Sequence, residues 1–279
     1  MAQQTILITG ASDGIGAASA HALAAKGHRL LIVGRSAAKT AAVAKETGAE
    51  PFVADFARLD DVRALAEQLK AGLDGHLDVL ANNAGGIFGD RILTADGNEY
   101  TFQVNHLAPF LLTHLLLDEL REPGATVVNT SSIASRLFGH LDIDDLGNSR
   151  NYSPAKAYGD AKLANILFTR GLHARFHDQG INTMAFHPGN VATNFAADTT
   201  NLMRFLYHTP LRRLALISAD KGGANLTWAI EGRPGVDWQS GAYYDERKLA
   251  TRVNRQITDA ALVDQLWDRS AQLVGVPAQ

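Results

Sequence analysis

Two tyrosine–lysine pairs stand six residues apart in this chain, Tyr152-x3-Lys156 and Tyr158-x3-Lys162. A free phenol titrates near pH 10, too high for efficient proton exchange at neutrality. Bringing it down by about 3 pH units requires about 4 kcal/mol. One ammonium ~4 Å away, at an effective dielectric of ~20, supplies about that much. A tyrosine one helical turn before a lysine is therefore a proton handle that needs no metal. Pro154 decides between the pairs, because proline suits the first helical turn and costs about 3 kcal/mol in the interior. A helix opening at Pro154 leaves Tyr152 outside or at the cap and sets Tyr158 and Lys162 on one face. Tyr158 and Lys162 are the expected catalytic pair.

The chain's start suggests what such a handle would serve. An apolar run, Thr5–Thr9, leads into Gly10-Ala-Ser12-Asp13-Gly14-Ile15-Gly16 and then into a helical segment. Glycines in a strand–turn–helix context let the backbone turn sharply, approach a pyrophosphate and pack the helix on the sheet. The helix N-terminus adds N–H groups and a positive dipole. Dinucleotide binding is expected here, although the Gly-x3-Gly-x-Gly spacing differs from the common fingerprint. After the second strand stands Arg35, where an acid would grip a ribose 2′-OH. A guanidinium suits a 2′-phosphate, so the expected cofactor is NADP(H).

Short apolar runs at 5–9, 29–33, 51–54, 77–81, 125–129 and 181–186 alternate with helical stretches at 15–26, 37–47, 59–72, 97–120 and 155–177. That alternation predicts a doubly wound parallel α/β sheet covered on both faces. The strand pattern weakens after residue 190, and no linker or repeat divides the chain, so one domain over 1–279 is expected. The 279 residues include no cysteine, which removes disulfides and thiolate chemistry. A net charge of −3 without a basic run gives nucleic-acid binding little support. The start lacks the marks of a secretory signal and no apolar stretch is long enough to span a bilayer, so a cytoplasmic protein is expected. His173 and His177 lack the acidic partner of a metalloprotease helix, and Asp142–Asp145 reads as a solvated loop, so no metal is expected.

Taken together, these motifs resemble the short-chain dehydrogenase/reductase family. Lys162-Leu-Ala-Asn-Ile-Leu-Phe168 is similar to its retinol dehydrogenase branch. The resemblance implies a Rossmann-like oxidoreductase with a tetrad of Asn105, Ser132, Tyr158 and Lys162. Ser132 would hold the substrate oxygen and Asn105 would support a water relay to Lys162. It implies cofactor contacts from Asn82-Asn83-Ala84-Gly85, Asp55, Phe56, and Pro188-Gly189-x-Val191-x-Thr193, besides Tyr158, Lys162 and the glycine loop. In the loop, Asp13 stands where some NADP-using relatives carry a basic residue. A homo-dimer or tetramer follows from the same likeness. Two other readings share the scaffold. A nucleotide-sugar epimerase or dehydratase has a substantial C-terminal substrate region, for which little room remains after Thr193. A catalytically silent NADPH-sensing module typically lacks the tyrosine or the lysine.

Two apolar segments are expected to flank the reacting carbon. One is 133–157, with Leu137, Phe138 and Leu141; the other is 194–217, with Leu202, Phe205 and Leu206 at helical spacing. Apolar flaps around a polar triad point to a hydrophobic carbonyl or alcohol substrate, aromatic or isoprenoid-like, though not to retinal in particular. The tandem pairs give a direct test. Tyr158→Phe should lose nearly all turnover while keeping NADPH binding, and Tyr152→Phe should stay active; assays of both variants with one carbonyl substrate check this.

Overall fold

Alternate residues of the first strand face opposite ways. In β1 (Thr5–Thr9), Ile6 and Ile8 enter one apolar cluster and Leu7 another. β2 (Arg29–Gly34) repeats the division, with Leu30 and Ile32 against Leu31 and Val33. Strands buried on both faces need helices on both faces. The computed structural model, which describes residues 3–120, 124–189 and 218–278, has that architecture.

The remaining strands are β3 (Glu50–Val53), β4 (Val79–Asn82), β5 (Thr126–Thr130), β6 (Asn182–His187), β7 (Ala242–Asp245) and β8 (Lys248–Leu249). They form one eight-stranded sheet in the order β3-β2-β1-β4-β5-β6-β7-β8, parallel except for the β7–β8 pair. The helices are α1 (Gly14–Ala24), α2 (Ala37–Thr47), α3 (Leu59–Gly72), α4 (Tyr100–Phe102), α5 (Ala108–Leu115), α6 (Ala134–Leu137), α7 (Pro154–Phe176), α8 (Ala219–Glu231) and α9 (Ala260–Val274). α1, α2 and α8 pack on the Ile6 face, and α3, α5, α7 and α9 on the Leu7 face. The fold is a single-domain, Rossmann-like doubly wound sheet. Because β1 lies between β2 and β4, successive crossovers leave it in opposite directions and open a crevice at the strands' C-terminal ends.

Two features depart from the sequence expectation. The stretch 97–120 is not one helix. Glu99 caps its start by accepting N–H bonds from Thr101 and Phe102 at 2.9 and 2.7 Å, so α4 opens at Tyr100. A π-helical turn, Gln103–Leu107, then joins α4 to α5, which ends at Leu115. Pro109 in the first turn of α5 has no N–H for the Asn105 carbonyl four residues back, so the α-helical ladder is interrupted there. The second departure is the sheet's far edge. β7 and β8 extend it beyond the sixth strand, and α8 and α9 cover the addition.

One contact sets how close the elements of the site can come. Gly159 of α7 lies against the chain around α6, and a Cβ there would sit 2.7 Å from Gly139 N, 2.8 Å from Phe138 C and 2.9 Å from Ala134 O. Backbone meets backbone at that point, immediately beside Tyr158.

Candidate active site

The crevice encloses a cavity of about 850 Å³ along the C-terminal ends of β1, β2, β4, β5 and β6. Gly10, at φ 66°, turns the chain away from β1 so closely to the next loop that a Cβ would stand 2.8 Å from Ala84 Cα. Thr9 Oγ1 accepts the N–H groups of Asn83 and Ala84 at 3.0 Å each, and Asn83 Nδ2 donates to the Thr9 carbonyl at 3.1 Å. Asn83 thus stitches the glycine turn to the loop after β4. Asn82, expected on the cofactor, does not reach the cavity. It is buried beneath it, donating to Thr113 Oγ1 and Asn129 Oδ1 at 3.0 Å each. Gly16 also stands behind the wall, where a Cβ would meet the Gly10 carbonyl at 2.3 Å. Ser12, Asp13, Gly14, Ile15, Ala84 and Gly85 line the cavity.

At one end of the cavity stand Arg35 and Lys39. Arg35 Nη1 approaches the Tyr100 hydroxyl at 3.4 Å, and Lys39 Nζ pairs with Asp13 Oδ2 at 3.0 Å. Asp13 also caps α1, its Oδ1 accepting Gly14 N–H at 2.8 Å. Asp55 and Phe56 border the same region; Asp55 Oδ1 accepts Ala57 N–H at 3.0 Å. Lys39 and Tyr100 were not singled out from sequence, although Lys39 lies four residues past Arg35, in the first turn of α2.

At the other end, Ser132, Tyr158 and Lys162 converge on the cavity. Ser153 caps α7 by accepting Lys156 N–H at 3.2 Å, and Pro154 occupies the first turn. Tyr152 is left before the cap, donating to the Gly89 carbonyl at 3.0 Å, and Lys156 turns to Asp160 and the His140 carbonyl. Lys162 is only 1% exposed. Its Nζ donates to the Thr130 carbonyl at 3.2 Å and lies 5.5 Å from the centre of the Tyr158 ring. Burial pulls this amine down to about 7. Asn105 stands one layer back and fixes the loop after β4: its Oδ1 accepts Gly86 N–H at 3.1 Å and its Nδ2 donates to the Gly86 carbonyl at 2.9 Å. His187, Pro188 and Gly189 border the cavity, while Val191, Thr193 and the 194–217 flap lie outside the described residues. From the 133–157 flap, Ala134, Phe138, Ser153, Pro154 and Ala155 reach the cavity. Leu141 instead joins the core, and Leu137 is 56% exposed.

A buried amine beside a phenol, with a serine lining the same cavity, can hold a carbonyl oxygen and hand it a proton. Among the described residues, no helix is long and apolar enough to cross a membrane, and no group of His, Asp or Glu is arranged to hold a metal ion.

A family model described as short chain dehydrogenase matches residues 4–203. A Streptomyces sp. (strain C5) protein provisionally named a daunorubicin C-13 ketoreductase is 41% identical over 283 residues, covering 99% of this chain and 94% of its own. Human retinol dehydrogenase 11 is 34% identical over 281 residues, covering 98% of this chain and 86% of its own. The crystal structure of NADPH-bound carbonyl reductase from chicken fatty liver superposes with a TM-score of 0.68 at 22% identity, covering 90% of this chain and 99% of that one.

The burial of Lys162 has a thermodynamic signature. Its value falls from 10.5 to about 7 on folding, so between those limits the unfolded chain binds more protons than the folded one. Folding stability from this group therefore rises with pH across that window, by at most about 1.4 kcal/mol per pH unit. Urea unfolding of wild type and Lys162→Met should show wild type gaining on the variant from pH 7 towards pH 10. A gap that stays constant contradicts this.

Proposed function

The chain belongs to the short chain dehydrogenase family, in a retinol dehydrogenase-like branch, and is an oxidoreductase; we propose that it uses NADPH to reduce a bulky apolar ketone or aldehyde, and oxidises the matching alcohol in reverse. One observation carries the reading. The Tyr158–Lys162 pair lies at one end of a single cavity, and the Arg35–Lys39 pair of cations at the other.

The residues suit a phosphorylated dinucleotide. The cavity opens onto the N-terminus of α1, which offers backbone donors to a pyrophosphate. Asp13 would otherwise repel a phosphate, but its charge is engaged by Lys39 and by the first N–H of α1. Arg35 and Lys39 would hold the 2′-phosphate, and Pro188–Gly189 would face the nicotinamide end. When bound, NADPH supplies the hydride.

The chain's own residues manage the proton. Ser132 hydroxyl donates to the substrate's carbonyl oxygen and fixes it. Tyr158 passes its phenolic proton to that oxygen as negative charge develops there, and the Lys162 ammonium stabilises the phenolate left behind. Asn105 holds the Gly86 backbone, the floor on which these groups meet. Ile87 and Ala134 cluster with Tyr158, and Phe88, Phe138 and Pro154 add apolar lining to the same cavity, which favours an apolar substrate. Two relatives' names support the bond concerned, since one is provisionally named a ketoreductase and the other is named a retinol dehydrogenase.

Two measurements test the proposal. The NADPH-linked kcat/KM should rise along acetone, acetophenone and 2-acetylnaphthalene; faster turnover of small polar hydroxyketones or sugars rejects the substrate class. Wild type should prefer NADPH to NADH, and Arg35→Ala should reduce that preference about 10- to 100-fold, the worth of one charge-assisted contact. A preference for NADH, or a ratio unmoved by the substitution, rejects the cofactor assignment.

A further inference from the structure

Asn165 lies one turn beyond Lys162 on α7 and is 3% exposed. Its Nδ2 donates to two backbone carbonyls from different elements, Asn105 O on the π turn at 3.0 Å and Thr130 O at the end of β5 at 3.2 Å. The Asn105 carbonyl is open to this donor because Pro109 cannot supply the α-helical one. The Thr130 carbonyl is the acceptor on which Lys162 Nζ also docks. Among the described residues it is the one hydrogen-bond partner of that amine, at the end of a four-carbon chain.

The amide's own orientation is fixed from behind. Asn165 Oδ1 lies 3.2 Å from His106 Nδ1, and His106 Nε2 lies 2.9 Å from Ser270 Oγ. Because the amide nitrogen must face the two carbonyls, its oxygen accepts, so His106 carries its proton on Nδ1. Nε2 then accepts from the Ser270 hydroxyl. His106 is fully buried among Phe102, Phe110 and Phe168, and burial lowers it to about 4, so the ring stays neutral and the order of donors holds at working pH. Every donor in this line points towards Lys162. None of Asn165, His106 and Ser270 lines the cavity.

We propose that Asn165, oriented by His106, is a positioning residue that fixes the Thr130 carbonyl and thereby the place of the Lys162 amine beside Tyr158. The inference rests on the reading of Lys162 given above and adds a supporting line that reaches from α9 through the π turn to the catalytic helix.

Two substitutions of one residue separate positioning from packing. His106→Asn keeps an amide N–H where imidazole Nδ1 stands, facing Asn165; His106→Gln keeps its polar group where Nε2 stands, facing Ser270. With the best-reduced ketone of the series above, kcat should fall less than about threefold in His106→Asn. It should fall about 10- to 100-fold in His106→Gln, the scale expected when a reacting group is displaced by about 1 Å. Thermal stability should run the other way, because asparagine leaves the larger void. Asn165→Leu should lose at least as much kcat as His106→Gln. If the kcat losses instead follow the melting temperatures, or Asn165→Leu keeps its rate, the proposal is wrong. Lys162→Ala, assayed alongside, keeps the two questions apart. If it loses turnover while Asn165→Leu and His106→Gln keep theirs, only the positioning role fails; if it stays active, the reading of the whole site fails.

Discussion

Removing an amine from water is among the least favourable acts in folding, since the charged form loses its hydration and gains little unless something replaces it. Lys162 is nonetheless buried, with one carbonyl for company and a phenol alongside. Much of the architecture can be understood as the arrangement that makes this tolerable. The end of β5 presents the Thr130 carbonyl, α7 carries the amine and the phenol on one face, and the π turn sets Asn105 against the loop after β4. An amine kept poorly solvated is also kept reactive to its surroundings. It interacts far more strongly with a neighbouring anion than a surface lysine would, because no water competes.

The sheet supplies the second half of the design. Reversal of strand order at β1 brings the glycine turn and the C-terminal ends of β5 and β6 to opposite sides of one crevice. Asn83 ties the two sides together: its Nδ2 donates to the Thr9 carbonyl and its Oδ1 accepts from Thr130 Oγ1 at the end of β5. The ion pair of Lys39 with Asp13 ties α2 to the glycine turn at the far end.

Much of this was legible in the residues, for reasons that differ from place to place. Pro154 located the start of α7 because proline tolerates so few helical positions, and that start separates Tyr158 from Tyr152. The parallel core showed itself through runs such as Ile6-Leu7-Ile8, apolar on both faces. Asn82 and Asn83 could not be told apart by type, because one step along a strand end exchanges inside for outside. The π turn escaped because its cause is one missing N–H, at Pro109, within an otherwise helical pattern. β7 escaped because it is four residues long and buried only at its centre. The support given by Asn165 and His106 depends on residues 59 apart in sequence, beyond the reach of local spacing.

The contact at Gly159 bears on how such a site diversifies. Where main chain touches main chain, no side-chain exchange can be compensated by repacking, so the base of the 133–157 segment is tied to the helix that carries Tyr158. Its cavity-facing side chains, Phe138 and Ala155 among them, carry no such tie. Selection or engineering can therefore reshape the mouth for new molecules by changing those positions, while the root of the segment holds the placing of Tyr158 constant.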